Sequence, residues 1–195
     1  MTGPPDRMRW ALVIAGFVVA GLGLLIDAAT KRWALTALDH GNVVQVWGDF
    51  LQFVLTHNPG AAFSTGGKFT PFISVFAMVA AVAVCVAIFR SRSWPWSLAL
   101  GLLLAGILGN LRDRLFEPPA PMRGHVIDFI MVPNWPVFNV ADIMINVAGV
   151  AAVILVFRGI PLTSAVKRSS PSKSTERQEP VTQERNPEEP SEPTP

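Results

Sequence analysis

Four long apolar stretches, separated by shorter polar segments, dominate the hydrophobic pattern of this chain. They predict membrane-spanning helices over about residues 10–30, 71–89, 94–112 and 137–157, because about 20 apolar residues cross a hydrocarbon core of about 30 Å. The first stretch follows two arginines, as a signal peptide would, but its apolar run is long and no small-residue cleavage site follows. The pattern therefore indicates an all-α membrane protein with four transmembrane helices.

A segment rich in β-branched and aromatic residues lies between the first two spans. Residues 43–47 and 50–55 are separated by Gly48 and Asp49, and they predict a β-hairpin inside an outer β segment of about 42–66. Because the hairpin is only partly polar, we expect a small extracytoplasmic cradle that rests on the membrane or on the helices. Its exposed edge could hold an extended peptide by main-chain pairing.

The composition agrees with a membrane protein, since half of the 195 residues are hydrophobic and 15% are charged. Residues 161–195 differ: they are rich in Pro, Ser and charged residues and predict a disordered cytoplasmic tail. Residues 1–160 then form the four-span membrane domain. The net charge of +2 gives no argument for nucleic-acid binding.

Charge in one loop favours an orientation. An even number of spans puts both termini on the same side, and the short turn at 90–93 carries Arg90 and Arg92 without an acidic residue. Because cytoplasmic loops collect Lys and Arg, this turn and both termini are expected in the cytoplasm. The remaining basic residues are divided almost evenly between the two sides.

Small residues occupy every fourth position of the third span at Gly101, Ala105 and Gly109. This spacing lets helices approach closely in lipid, either within the chain or between two copies. Cys85 is the only cysteine, and the three histidines lack the spacing of metal ligands. No metal site is therefore expected.

Several polar residues lie at the ends of the spans. Asp27 and Lys31 are four residues apart and share a helix face, which is consistent with an ion pair at the helix end or with support of a site. Asn110, Asp113 and Arg114 form a second polar face, at the end of the third span.

Two aspartates are the strongest candidates for chemistry. Asn139, Asp142 and Asn146 share one face of the fourth helix, so we expect Asp142 to point into the bundle. Asp128 is predicted on the loop before this helix, between apolar neighbours, where desolvation would raise its pKa.

Two carboxylates held close together share one proton, because both cannot easily ionise. The ionised partner can then activate water, and the protonated partner can polarise an amide carbonyl. The residues alone leave two classes open: a membrane hydrolase, or a small proton-coupled transporter or channel subunit. A scaffold that binds a partner through the outer hairpin is a third hypothesis.

Five sequence motifs occur in a characteristic order. They are Asp27-x-x-x-Lys31, Asn58-Pro59-Gly60-Ala61-Ala62-Phe63-Ser64, Gly109-Asn110-Leu111-Arg112-Asp113-Arg114, Val126-Ile127-Asp128-Phe129-Ile130 and Phe138-Asn139-Val140-Ala141-Asp142. With these motifs, about residues 10–158 resemble the lipoprotein signal peptidase (signal peptidase II) family of bacterial membrane aspartic peptidases.

The resemblance implies a catalytic pair, Asp128 and Asp142, and a set of support or substrate-binding residues. That set is Asp27, Lys31, Asn58, Ala62, Phe63, Asn110, Asp113, Arg114 and Asn139. It also implies a substrate, a prolipoprotein whose cysteine carries diacylglycerol, cut just before that cysteine at the outer face of the plasma membrane. The expected enzyme is a multi-pass monomer in contact with membrane lipid, needs no cofactor and is inhibited by globomycin.

The chain departs from the family pattern in two places. The segment Glu117–Pro121 lengthens the loop before Asp128, and the Pro-, Glu- and Ser-rich tail lies outside the family core. Neither departure removes a motif residue.

Overall fold

A computed structural model describes residues 6–38, 41–60 and 70–163. The predicted tail at 161–195 falls almost entirely outside the described residues. Ala62 and Phe63 also lie outside them, so the structure gives no information on these two expected site residues.

The four predicted spans are confirmed as helices long and apolar enough to cross a membrane. They are α1 (Asp6–Ala37), α2 (Thr70–Arg90), α3 (Trp94–Phe116) and α4 (Val140–Phe157). The first and third helices run beyond the predicted ends, because their polar residues are paired inside the bundle rather than marking its edge. The fourth begins at Val140 rather than at 137, since Phe138 forms a β-bridge with Ile130.

The predicted hairpin is confirmed, but it belongs to a larger sheet. Strands β1 (Val44–Trp47), β2 (Leu51–Asn58) and β3 (Val126–Met131) form an antiparallel sheet in the order β1-β2-β3. The prediction that Asp128 lies on a loop was wrong, because it lies in β3 opposite Thr56 of β2. Pairing with a strand far away in sequence turns this short apolar run into a strand.

The sheet rests on the end of α1. Phe129 of β3 is buried together with Ala34 and Leu38, and its ring centroid lies 6.0 Å from that of Trp33 and 6.1 Å from that of Phe53. These contacts fix β3, and therefore Asp128, against the C-terminal end of α1.

Close packing of α1 against α3 uses the stripe of small residues predicted in the third span. A side chain at Gly101 would collide with the carbonyl oxygen of Gly16. At Gly109, a Cβ atom would lie 2.5 Å from Oδ2 of Asp27. The stripe therefore serves packing within the chain and brings Asp27 against α3.

Candidate active site

The beginning of α4 fixes the side chain of Asp142. Asn139 is the N-cap: its Oδ1 accepts a hydrogen bond from the Asp142 backbone N–H at 3.0 Å, and Asp142 Oδ2 accepts from the Asn139 N–H at 3.2 Å. This reciprocal capping box satisfies backbone N–H groups that the helix leaves unpaired. Asp142 Oδ1 accepts from Asn110 Nδ2 at 2.8 Å, so both of its oxygens are held.

Two side-chain amides hold Asp128 on β3. Asn58, the last residue of β2, donates through Nδ2 to Asp128 Oδ2 at 2.8 Å, and Asn139 Nδ2 donates to Asp128 Oδ1 at 2.6 Å. Asp128 is only 1% exposed. Because Asn139 contacts both Asp128 and Asp142, the structure brings the two predicted catalytic carboxylates together around one residue.

Burial raises the pKa of Asp128 from its ordinary value to about 6. The amide of Asn58 opposes this by donating to the carboxylate, and the negative charge of Asp142 acts in the same direction as burial. The weaker effects of Asn139 and Lys31 both lower the pKa. Desolvation is therefore the dominant cause, and Asp128 can hold a proton near neutral pH.

Lys31 is the centre of a buried ionic cluster. Its Nζ lies 2.9 Å from Asp27 Oδ2 and 2.7 Å from Asp113 Oδ2, and the side chains of all three residues are at most 1% exposed. Asp27 Oδ1 accepts from the Ala141 N–H of α4 at 2.9 Å, and Asp113 Oδ2 accepts from the Ile127 N–H of β3 at 3.3 Å. The ion pair predicted from helix spacing therefore forms, and the cluster ties α1 and α3 to both segments that carry the catalytic candidates.

Asn110 connects this cluster to Asp142. Its Oδ1 accepts from Lys31 Nζ at 3.2 Å and from Asn139 Nδ2 at 3.1 Å, while its Nδ2 donates to Asp142. An ammonium group can only donate, so Lys31 fixes which side of the amide faces it. The Asn110 N–H₂ group must then face Asp142.

Arg114 lies beside the same site without a complete set of partners. Its side chain is 9% exposed, and Nη1 is buried and makes no hydrogen bond within the described ranges. Nη1 lies 4.0 Å from where a Cβ atom would stand on Gly60, two residues after Asn58. Arg114 therefore offers an available N–H donor close to the turn that ends β2.

A cavity of about 450 Å³ lies beside the side chains of Asn58 and Asp142. Its lining includes Asn58, Trp135, Phe138, Asp142, Ile143 and Val147. Asp142 lines this cavity, whereas Asp128 is buried and is not among the lining residues. In the part of the chain that the structure describes, no group of three or more His, Cys, Asp or Glu side chains could hold a metal ion.

Part of the cavity wall is formed by Trp135 and Phe138, which were not among the site residues predicted from the sequence. The predicted start of the fourth helix at 137 lies before its true start at Val140 and covers part of the turn that precedes it. Positive φ at Asn134 bends the chain here, and Trp135-Pro136 follows. The capping-box spacing of Asn139 and Asp142 would have located the true helix start.

The family model for signal peptidase (SPase) II matches residues 19–158. The chain belongs to the signal peptidase II family. It is therefore a peptidase, and its four apolar helices make it a multi-pass membrane protein.

Its curated relatives share this family. A lipoprotein signal peptidase of Bifidobacterium longum subsp. infantis is 42% identical over 163 residues, which are 84% of this chain and 88% of the relative. That of Streptomyces coelicolor is 40% identical over 80% of this chain and 77% of the relative. That of Mycobacterium leprae is 38% identical over 86% of this chain and 81% of the relative.

Solved structures agree on the fold. A bacterial membrane enzyme determined by the in meso method at 2.3 Å resolution has a TM-score of 0.65 with 24% sequence identity. The match covers 80% of this chain and 92% of the solved one. The arrangement of helices and sheet is therefore shared with a membrane enzyme.

Proposed function

We propose that this protein is an aspartic endopeptidase that removes the signal peptide from diacylglyceryl-modified prolipoproteins by cleaving before the lipid-bearing cysteine. The observation that carries the proposal is the double contact of Asn139, whose side chain binds Asp128 and whose backbone N–H binds Asp142. The names of the relatives, lipoprotein signal peptidases, support the substrate class.

In the proposed reaction, Asp128 and Asp142 share one proton and titrate as a pair. The ionised member removes a proton from water as the water oxygen bonds to the scissile carbonyl carbon. The protonated member polarises the carbonyl and then gives its proton to the leaving cysteine nitrogen as the C–N bond breaks. The proton taken from water restores the pair, so no separate role is assigned to either aspartate.

The remaining site residues are proposed to position the pair and the substrate. Asn58 and Asn139 orient Asp128, and the Lys31 cluster orients Asp142 through Asn110. Nη1 of Arg114, which makes no hydrogen bond to any described residue, suits a main-chain carbonyl of the bound peptide. The expected support or substrate-binding residues are Asp27, Lys31, Asn58, Ala62, Phe63, Asn110, Asp113, Arg114 and Asn139.

Access from the bilayer supports a lipid-modified substrate. Ile143 and Val147 line the cavity beside Asp142 and are 41% and 51% exposed on the face of a membrane helix. A substrate anchored by acyl chains stays at the bilayer and is presented at a fixed depth. We propose a monomer in the bacterial plasma membrane with cytoplasmic termini, an outer active site, no cofactor, and inhibition by globomycin.

The transporter hypothesis requires carboxylates spaced through the depth of the membrane. Instead, Asp27, Asp113 and Asp142 are linked through Lys31 and Asn110 into one network. This clustering supports hydrolysis over a proton path.

The test is cleavage of a synthetic peptide that carries diacylglyceryl-cysteine, with an unlipidated peptide as control. Asp128→Asn and Asp142→Asn should each lower turnover at least about a thousandfold without loss of membrane insertion. Asp49→Asn, at an exposed aspartate of the hairpin turn, is the matched control and should cleave normally. Retained turnover in a well-expressed variant of either catalytic candidate would refute the proposal.

A further inference from the structure

The first residue of α2 contacts the turn that ends β2. Thr70 is 1% exposed, and its Oγ1 donates to the backbone carbonyl of Pro59 at 2.7 Å. Pro59 stands between Asn58 and Gly60. A hydroxyl at the start of one helix therefore holds the backbone next to a residue that binds Asp128.

Two further hydrogen bonds continue this connection. The Gly60 N–H donates to Asn58 Oδ1 at 2.8 Å, and Asn58 Nδ2 donates to Asp128 Oδ2 at 2.8 Å. Because the Gly60 N–H occupies the amide oxygen, the N–H₂ group of Asn58 must point to the carboxylate. The orientation of the Asn58 amide thus depends on the position of the turn.

Packing leaves the turn little freedom to adopt another position. Gly60 has φ +106°, and a Cβ atom there would lie 3.1 Å from Cδ1 of Ile73 on α2. Ser74 Oγ lies 3.0 Å from the carbonyl oxygens of both Thr70 and Met122, and its single proton can be donated to either of them. The first two turns of α2 therefore hold two separate loops, and the Thr70 hydroxyl is the contact to the loop at the site.

We infer that Thr70 is a positioning residue for the reaction, whose hydroxyl holds the turn so that the Asn58 amide is fixed on Asp128. This inference rests on the proposed catalytic pair. It assigns a function to a residue that lies outside the motifs that identify the family.

The charged groups around Asp128 determine how its pKa would respond to the loss of the Thr70 hydroxyl. Asp142 faces it from α4, Lys31 acts on it from α1, and Arg114 interacts with it electrostatically from α3. Donation by Asn58 stabilises the ionised form and lowers the pKa of Asp128, against the larger effect of burial. Loosening the Asn58 amide should therefore raise this pKa further.

The experiment compares Thr70→Val with Thr70→Ser in the full chain, using the diacylglyceryl peptide as substrate. Losing one oriented hydrogen bond should lower kcat of Thr70→Val about tenfold, with KM unchanged. The alkaline limb of its kcat/KM profile should move to higher pH, whereas Thr70→Ser should restore both properties. Thr70→Ala, which cannot clash, should show the same changes if Thr70→Val fails to accumulate.

Ser74→Ala is the matched control, because it removes a neighbouring buried hydroxyl that contacts the backbone carbonyls of Thr70 and Met122 rather than that of Pro59. Its alkaline limb should stay in place. The inference is overturned if Thr70→Val and Thr70→Ala keep the wild-type limb, whether or not kcat falls. That outcome can be distinguished from failure of the proposed catalytic pair, because failure of the pair would appear as retained turnover in Asp128→Asn or Asp142→Asn.

Discussion

Replacing Lys31 by Met tests whether the buried ionic cluster holds the site together. The ammonium group lies within 2.9 Å of one carboxylate and 2.7 Å of another, and the three side chains are at most 1% exposed. Methionine nearly preserves the volume of the side chain, but it leaves Asp27 and Asp113 without their cation. It also removes the donor that fixes the Asn110 amide.

The expected loss of stability is large. Removing one partner of a buried ion pair costs about 3–5 kcal/mol, because the remaining charge is uncompensated. No reduction for solvent screening applies at this degree of burial. Because whole domains are stable by only about 5–15 kcal/mol, Lys31→Met should unfold at a markedly lower temperature.

Thermal unfolding in detergent at neutral pH measures this effect, with cleavage of the lipidated peptide recorded beside it. Arg32→Met, at an exposed neighbour on the same helix, is the control and should unfold like the wild type. Adding Asp27→Asn and Asp113→Asn to Lys31→Met removes the uncompensated charges and should recover much of the stability. A loss below about 1 kcal/mol in Lys31→Met, the range of surface ion pairs, would refute the reasoning.

Two further predictions concern the pH profile and helix packing. In the wild type, burial raises the pKa of Asp128 to about 6. We therefore expect kcat/KM to fall as pH rises through about 6, because the shared proton leaves the pair. A profile that is level from well below to well above this pH would contradict the shared-proton mechanism. Gly101→Val should lower the melting temperature by an amount equivalent to about 1–3 kcal/mol, because its side chain meets the Gly16 backbone. Gly21→Ala should be tolerated, because no neighbouring atom of the described residues lies within 4 Å of an added Cβ. Equal melting temperatures for these two variants would show that α1 and α3 can separate at no cost.

The four spans could be predicted from sequence because length and apolarity are local properties. The i, i+4 pairing of Asp27 and Lys31 followed from helix periodicity for the same reason. The contact of Lys31 with Asp113 could not be predicted, because it depends on how closely α1 packs against α3 at Gly109. Local patterns determined the helices, and packing between them determined the network.

The assignment of Asp128 to a loop failed for a related reason. The run Val126–Met131 is short and apolar, and its partner strand ends at Asn58, far away in the sequence. No local signal records that pairing. Yet it is what puts the Asn58 amide against Asp128. The sequence therefore predicted the candidate residues, while the third strand determined which of them meet.

The choice of amides around the carboxylates has a physical consequence. A cation in direct contact with Asp128 would favour its ionised form, and the pair could then no longer share a proton near neutral pH. Lys31 instead binds Asp27, Asp113 and the Asn110 oxygen, and its effect on the pKa of Asp128 is smaller than those of burial, Asn58, Asp142 and Asn139. Electrostatic attraction falls with distance. The amides of Asn110 and Asn139 connect Lys31 to Asp128 by hydrogen bonds and keep its charge out of direct contact with that carboxylate. Such a site can be rigid and still hold the single proton that the proposed hydrolysis requires.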